Sequence, residues 1–269
     1  MSRLAASLVV LAALALPAAG LADDTTPPVA PGAPPTSLVV GLGLDDPALQ
    51  AGVLRGREVI LARGFEVELA RILARRLGGR VERFVHVSSP GRLLASGAAD
   101  WQLAFAGIPG SSRTVGADLS TPYLTTDVVV VVRRGLDRPR GLADLRSAVL
   151  CAVRGDGAEA AAALHAKRAP SLLPSADRLL TAVRTGACDA ALVPADEAGR
   201  FVAGHKRVLG PVVGRIRHGK GLVVAVARGG GLAAADVDRQ LARLRHDGTL
   251  GRLARTWLGL DPAALPVLR

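Results

Sequence analysis

Val128 to Val132 are five consecutive β-branched residues, set in the run DVVVVVRRG at 127–135. A stretch so apolar and so stiff at χ1 makes a poor helix and offers no polar face to water, so it predicts a strand buried on both sides. Such a strand needs layers above and below it, and the chain supplies an alternation of strand-like and helix-like segments on either side. Upstream, Leu38–Gly41 is a short apolar run. In GFEVELARILARRLGG, Phe65, Leu69, Ile72, Leu73 and Leu77 recur at helical spacing, and Gly78 or Gly79 supplies the stop. Val81–Val87 reads as a strand, Ser89-Pro90 as a helix cap with first-turn proline ahead of Leu93 and Leu94, and WQLAFAG at 101–107 as another strand.

Downstream the order repeats. AVLCAVRG predicts a strand and DGAEAAAALHAKR a helix, Ser175 caps ADRLLTAVRTG, and CDAALV predicts a strand. Both units carry Gly-Ala-x-Asp just before or within the approach to an apolar run, at Gly97–Asp100 and Gly186–Asp189. GLVVAVARGG at 221–230 is a second Val-rich run. Two closing helices, interrupted at Asp247-Gly248, offer Leu241, Leu244, Leu250, Leu253 and Trp257 for one apolar face. The pattern predicts an α/β chain of two lobes joined by two Val-rich strands, with lobe 1 at 37–129 plus 224–269 and lobe 2 at 130–223. A cleft would then lie at the carboxyl ends of both sheets, where open α/β folds bind ligands.

The first 22 residues have Arg3, an apolar run from Leu4 to Leu16 and small residues up to Ala22, the three-part pattern of a cleaved secretory signal. Residues 23–36, DDTTPPVAPGAPPT, read as a Pro-rich disordered linker. Export places Cys151 and Cys188 in an oxidising compartment, where they form a disulfide if close and stay buried thiols otherwise. The formal charge of +11 would suit nucleic acid. The basic residues are scattered, however, and seven aromatics leave little to stack on bases, so nucleic acid is not expected as a partner. His86, His165, His205, His218 and His246 show no metal-ligand spacing, and no nucleophile elbow or P-loop occurs, so neither metal nor cofactor is expected.

One loop stands out: AFAGIPGSSRTVGADLSTPY, 104–123, runs from a strand into a Gly-Pro-Gly-Ser-Ser turn and one arginine. Its pattern Arg113 then Ser120-Thr121-Pro122-Tyr123, with GFEVELARILARRLG, GACDAALVPADEA and ARLRHDGTLGRLARTWLG, resembles the amino-acid-type periplasmic solute-binding proteins of ABC importers over about residues 38–259. The resemblance implies two Rossmann-like lobes on two hinge strands, the type II periplasmic binding protein fold. It also implies a monomeric, periplasmic binding protein that delivers a small polar solute to an ABC permease in the inner membrane. By the same resemblance Arg113 grips a solute carboxylate, helped by the loop of Ala106, Gly107, Pro109, Ser111 and Ser112. A planar guanidinium and close backbone N–H groups suit that task.

Three positions depart from the family's pattern. Asp46 stands where an aromatic covers the solute, Asp156-Gly157 where a Ser/Thr pair receives the carboxylate, and Pro194 where an aspartate holds the ammonium. Two charges of like sign about 4 Å apart at an effective dielectric near 20 repel by about 4 kcal/mol. A helix N-terminus returns only about 0.3–2 kcal/mol. An α-amino acid held in the ordinary way is therefore not expected. Either the solute offers a cationic or hydroxyl group to Asp46 and Asp156, or these acids turn away and Asp156 simply caps its own helix. Some relatives of this fold are dehydratases acting on cyclohexadienyl acids, for which Asp46, Glu66 or Asp156 would supply the acid. A binding protein, not an enzyme, is the expectation, with a non-transport sensing module of the same fold as the alternative.

Overall fold

The computed structural model describes residues 35–87, 100–137, 139–165 and 167–269. The leader, most of the linker and the helix expected from Ser89 lie outside them. The chain opens with β1 (Ser37–Leu42), then a hairpin of β2 (Ala51–Arg55) and β3 (Glu58–Arg63). Next come α1 (Phe65–Arg76), β4 (Arg80–His86), β5 (Leu103–Phe105) and β6 (Ala117–Leu119). The valine run is β7 (Val128–Arg133), followed by the single turn α2 (Leu142–Leu145), β8 (Leu150–Val153), α3 (Ala158–His165) and β9 (Ser171–Leu173). Then follow α4 (Ala176–Thr185), β10 (Ala190–Pro194), α5 (Ala195–Ala203) and β11 (Leu209–Ile216). Last are β12 (Ala225–Ala227), α6 (Ala234–His246) and α7 (Thr249–Leu258).

Two sheets result, ordered β2-β3-β4-β1-β5-β12-β6 and β11-β7-β10-β8-β9. In the first, β1 pairs parallel with β4 and β5; in the second, β8 pairs parallel with β9 and β10. Each sheet is covered on both faces by its own apolar clusters, giving the two-lobed α/β architecture. All five valines of β7 are buried, between antiparallel β10 and β11. Phe65, Leu69 and Leu73 of α1 are fully buried, each contributing about 1.5–3 kcal/mol by leaving water. Gly64 before α1 has φ +127°, and a Cβ there would lie 2.4 Å from the Leu49 carbonyl oxygen. That close approach lets the Ala48 and Leu49 carbonyls accept the first amides of α1, from Phe65 and Glu66, at 2.9 Å each.

Two segments that cross between the sheets, at about 120–127 and 217–224, run side by side. Leu222 N–H donates to the Leu124 carbonyl at 2.8 Å, Tyr123 N–H to the Leu222 carbonyl at 2.8 Å, and Gly221 N–H to Thr126 Oγ1 at 3.1 Å. The second Val-rich run is thus less strand than its composition predicts. Only Ala225–Ala227 joins a sheet as β12, because Leu222–Val224 bond to the outgoing crossing and to the 108–110 loop. At the end of the chain Leu268 enters the second sheet's core and Arg215 bridges Val267, so this tail, expected in the first lobe, packs on the second. Among the described residues no helix is long and apolar enough to cross a membrane. Cys151 and Cys188 are joined as a disulfide, Cα to Cα 6.0 Å.

Candidate functional site

The carboxyl ends of β1 and β5 deliver two loops of the first lobe toward the crossings. In the loop after β1, Asp46 Oδ1 accepts the Ala48 N–H at 2.8 Å and the Asp46 carbonyl accepts the Gln50 N–H at 2.7 Å. Gln50 is buried; its Oε1 accepts the Leu44 N–H at 3.0 Å and its amide donates to Glu66. Glu66, fully buried at the start of α1, also accepts the Tyr123 hydroxyl. Burial pushes the Glu66 carboxyl up to about 7; the bonds from Tyr123 and Gln50 and the backbone of Gly107 pull it back, and the Asp46 charge pushes it further up. Burial, then the neighbouring Glu66 charge, raises the Tyr123 phenol well above its ordinary value. One carboxyl thus ties together the Asp46 loop, the Gly107 loop and the first crossing.

The loop after β5 is fastened to the hinge. Gly107 has φ +58°. The Ile108 carbonyl accepts the Val223 N–H at 2.9 Å, Pro109 bridges Leu222, and Gly110 N–H donates to the Gly221 carbonyl at 2.8 Å. Ser112 N–H donates to the Pro109 carbonyl at 2.9 Å. The Ile108 carbonyl and the Gly110 N–H of this loop are therefore spent on the crossing. Ala106 is buried, whereas Ser111 and Arg113 are exposed, and Arg113 makes no hydrogen bond or ion pair among the described residues.

The second lobe contributes a cavity of about 260 Å³ at the carboxyl ends of β8 and β10, closed on one side by Thr126 and His218 of the crossings. The structure brings Asp156, Gly157 and Pro194 together here, with Asp196 and Glu197 from the first turn of α5 beside them. Asp156 Oδ1 accepts the Ala158 N–H at 2.9 Å, and Glu159 accepts the Gly155 N–H at 3.2 Å, so the start of α3 is met by its own acids. Burial raises the Asp156, Asp196 and Glu197 carboxyls alike. The Asp46 charge raises Asp196 and Glu197 further, Asp196 and Asp156 also raise Glu197, and Arg200 lowers both Asp196 and Glu197. Across the lobes, Arg200 Nη2 of α5 stands 3.4 Å from Asp46 Oδ2.

Sequence reasoning missed Arg200, and Asp196 and Glu197 were legible only as two acids after Pro194. The signal for Arg200 was its place four residues after Asp196, on the same helix face. Other cavities lie elsewhere. One of about 850 Å³, beside Val132, Asp189 and Ala190, is at the amino end of β10, the opposite end from where such sheets bind ligands. One of about 530 Å³, lined by Arg215, Arg217, Lys220 and Arg245, lies at the crossings.

A family model described as bacterial extracellular solute-binding proteins, family 3, matches residues 60–260. No curated protein matches the chain. Among solved structures, the unliganded, open L-cystine solute receptor of Neisseria gonorrhoeae is 20% identical with a TM-score of 0.67, over 85% of this chain and 94% of that one. An ancestral cyclohexadienyl dehydratase is 24% identical with a TM-score of 0.63, covering 84% and 93%. An ancestral cationic amino acid solute-binding protein is 24% identical with a TM-score of 0.59, covering 83% and 96%. At these identities the solved structures speak for the fold.

Proposed function

Because the chain belongs to the bacterial extracellular solute-binding proteins, family 3, we propose that it captures a small polar solute, an amino acid or related compound, between its lobes and delivers it to an ABC permease of the inner membrane. The observation that carries this reading is convergence. The Gly107–Ser112 loop, the Asp156-Gly157 turn and Pro194 follow strand ends and meet the paired crossings, and the Asp46 loop, also at a strand end, reaches the first crossing through Gln50, Glu66 and Tyr123. A solute touching both lobes favours the closed arrangement by its differential contacts, and the crossings are where rotation is absorbed. Residues 1–22 export the chain to the periplasm, where it acts as a monomer.

In this reading Arg113, exposed at the end of its loop, meets a carboxylate when the solute has one, while the loop it ends stays anchored to the hinge. In this reading the protein binds and does not catalyse: Glu66, the carboxyl with a value near 7, is fully buried and its two oxygens accept from Gln50 and Tyr123. The test is a thermal-shift screen over amino acids, amines and sugar acids, since selective binding raises the melting temperature by mass action. It is paired with X-ray scattering to read closure. Arg113→Ala is expected to weaken a carboxylate-bearing solute by about 2 kcal/mol. No selective solute, or an Arg113→Ala protein with unchanged affinity for such a solute, would refute the corresponding part.

A further inference from the structure

Resting on that reading, we infer that the solute is an organic cation, a protonated amine or a guanidinium, whose positive end enters between Asp46, Asp196 and Glu197 and displaces Arg200 from Asp46. Three carboxylates line the second lobe's cavity, those of Asp156, Asp196 and Glu197, and that of Asp46 from the first lobe stands near enough for its charge to raise Asp196 and Glu197. Against them stand the Arg200 guanidinium, 3.4 Å from Asp46, and the ring of His218 in the cavity wall. Four acids drawn from three separate segments, β1's loop, the start of α3 and the start of α5, thus gather at and beside a partly enclosed space. There, water screens them poorly: the Asp46 charge raises Asp196 and Glu197, and those of Asp196 and Asp156 raise Glu197.

An anion has no receiver in this space. The two helix N-termini at this space already carry acids, Asp156 and Glu159 at α3 and Asp196 and Glu197 at α5. A neutral solute would leave the carboxylates desolvated and unpaired, which is costly. A cation relieves both problems. The protein itself indicates where it goes, because the Arg200 guanidinium reaches across from the second lobe to Asp46 at 3.4 Å. That pair is half exposed and therefore weak, so a solute held by several carboxylates at once outcompetes it. Arg200 is thus both a contact between the lobes and an internal competitor that sets the affinity for the solute.

Calorimetric titrations with agmatine, L-arginine, L-glutamine and L-glutamate test this. Agmatine and L-arginine are expected to bind, more weakly as salt is raised, and L-glutamate not at all. Asp196→Asn is expected to weaken agmatine by roughly 10-fold or more. Arg200→Ala is expected to tighten it by about threefold, as removal of a weak competing pair would. Arg113→Ala is expected to affect L-arginine but not agmatine. Stronger binding of L-glutamine or L-glutamate than of agmatine would overturn the inference while leaving the solute-binding reading intact. So would an Asp196→Asn protein, folded by circular dichroism, with unchanged agmatine affinity, or an Arg200→Ala protein that binds agmatine more weakly. If no solute of any class binds, both fall together.

Discussion

Replacing Glu66 by glutamine and following stability between pH 4 and pH 8 isolates the charge of one fully buried carboxyl. In the folded chain that carboxyl is pushed up from 4.5 to about 7. Between those two pH values the unfolded chain has released the proton and the folded chain still holds it. The native state therefore binds more protons, and stability must fall as pH rises. The loss begins near pH 4.5, grows through the interval and is complete above about pH 7. The interval corresponds to about 3 kcal/mol, at 1.36 kcal/mol for each pH unit separating the two states. For a domain of this size that is about 6–12 °C in melting temperature. The assay is urea unfolding at closely spaced pH values, parent against Glu66→Gln. Asp156, Asp196 and Glu197 are raised too, so both proteins lose stability with pH; the difference between the two curves belongs to Glu66. Glutamine has one acceptor oxygen where Glu66 uses two, for Gln50 and Tyr123. That lowers the variant's curve by a constant amount without changing its slope. Parallel curves from pH 4 to 8 would refute the reasoning.

Two further outcomes follow from packing and covalent structure. Cys151→Ser with Cys188→Ser opens a cross-link spanning 37 residues and is expected to cost about 4 kcal/mol by loop entropy, read as a lower urea midpoint; an unchanged midpoint would show that the bond constrains nothing. Gly199→Ala would set a Cβ 2.0 Å from the Leu258 carbonyl oxygen and 2.8 Å from the Gly259 carbonyl carbon, where α5 crosses the end of α7. Overpacking of this kind costs about 1–3 kcal/mol, and the helix carrying Asp196 and Arg200 must move off the first lobe; X-ray scattering is expected to report a larger radius, and an unchanged radius with unchanged solute affinity would contradict the contact.

What could be read from the residues is what local physics controls. The spacing in 65–77 placed α1 because an apolar stripe needs no partner to be recognised, and Asp247-Gly248 marked the break between α6 and α7, where Gly248 takes φ +74°. The valines of β7 announced burial without saying which sheet would receive them. The β2–β3 hairpin went unseen because Val53, Leu54 and Leu61 point to water, so it lacks the alternation that marks a half-buried strand. The loop 107–112 was recognisable as a close-approach turn, but its partner is the return crossing more than 100 residues later, and composition cannot say whether an N–H will meet a solute or a hinge. Asp156 shows the same limit at a single side chain: an aspartate before a helix both caps it and repels anions, and only its neighbours decide which matters. Those neighbours come from elsewhere in the chain. Asp46 and Arg200 lie 154 positions apart, and Asp46 is the second of two acids before a proline until α5 brings a guanidinium to it. The charge of this region therefore follows from topology acting on residue type: two lobes on a paired crossing bring Asp156, Asp196 and Glu197 to one cavity and set Asp46 against Arg200.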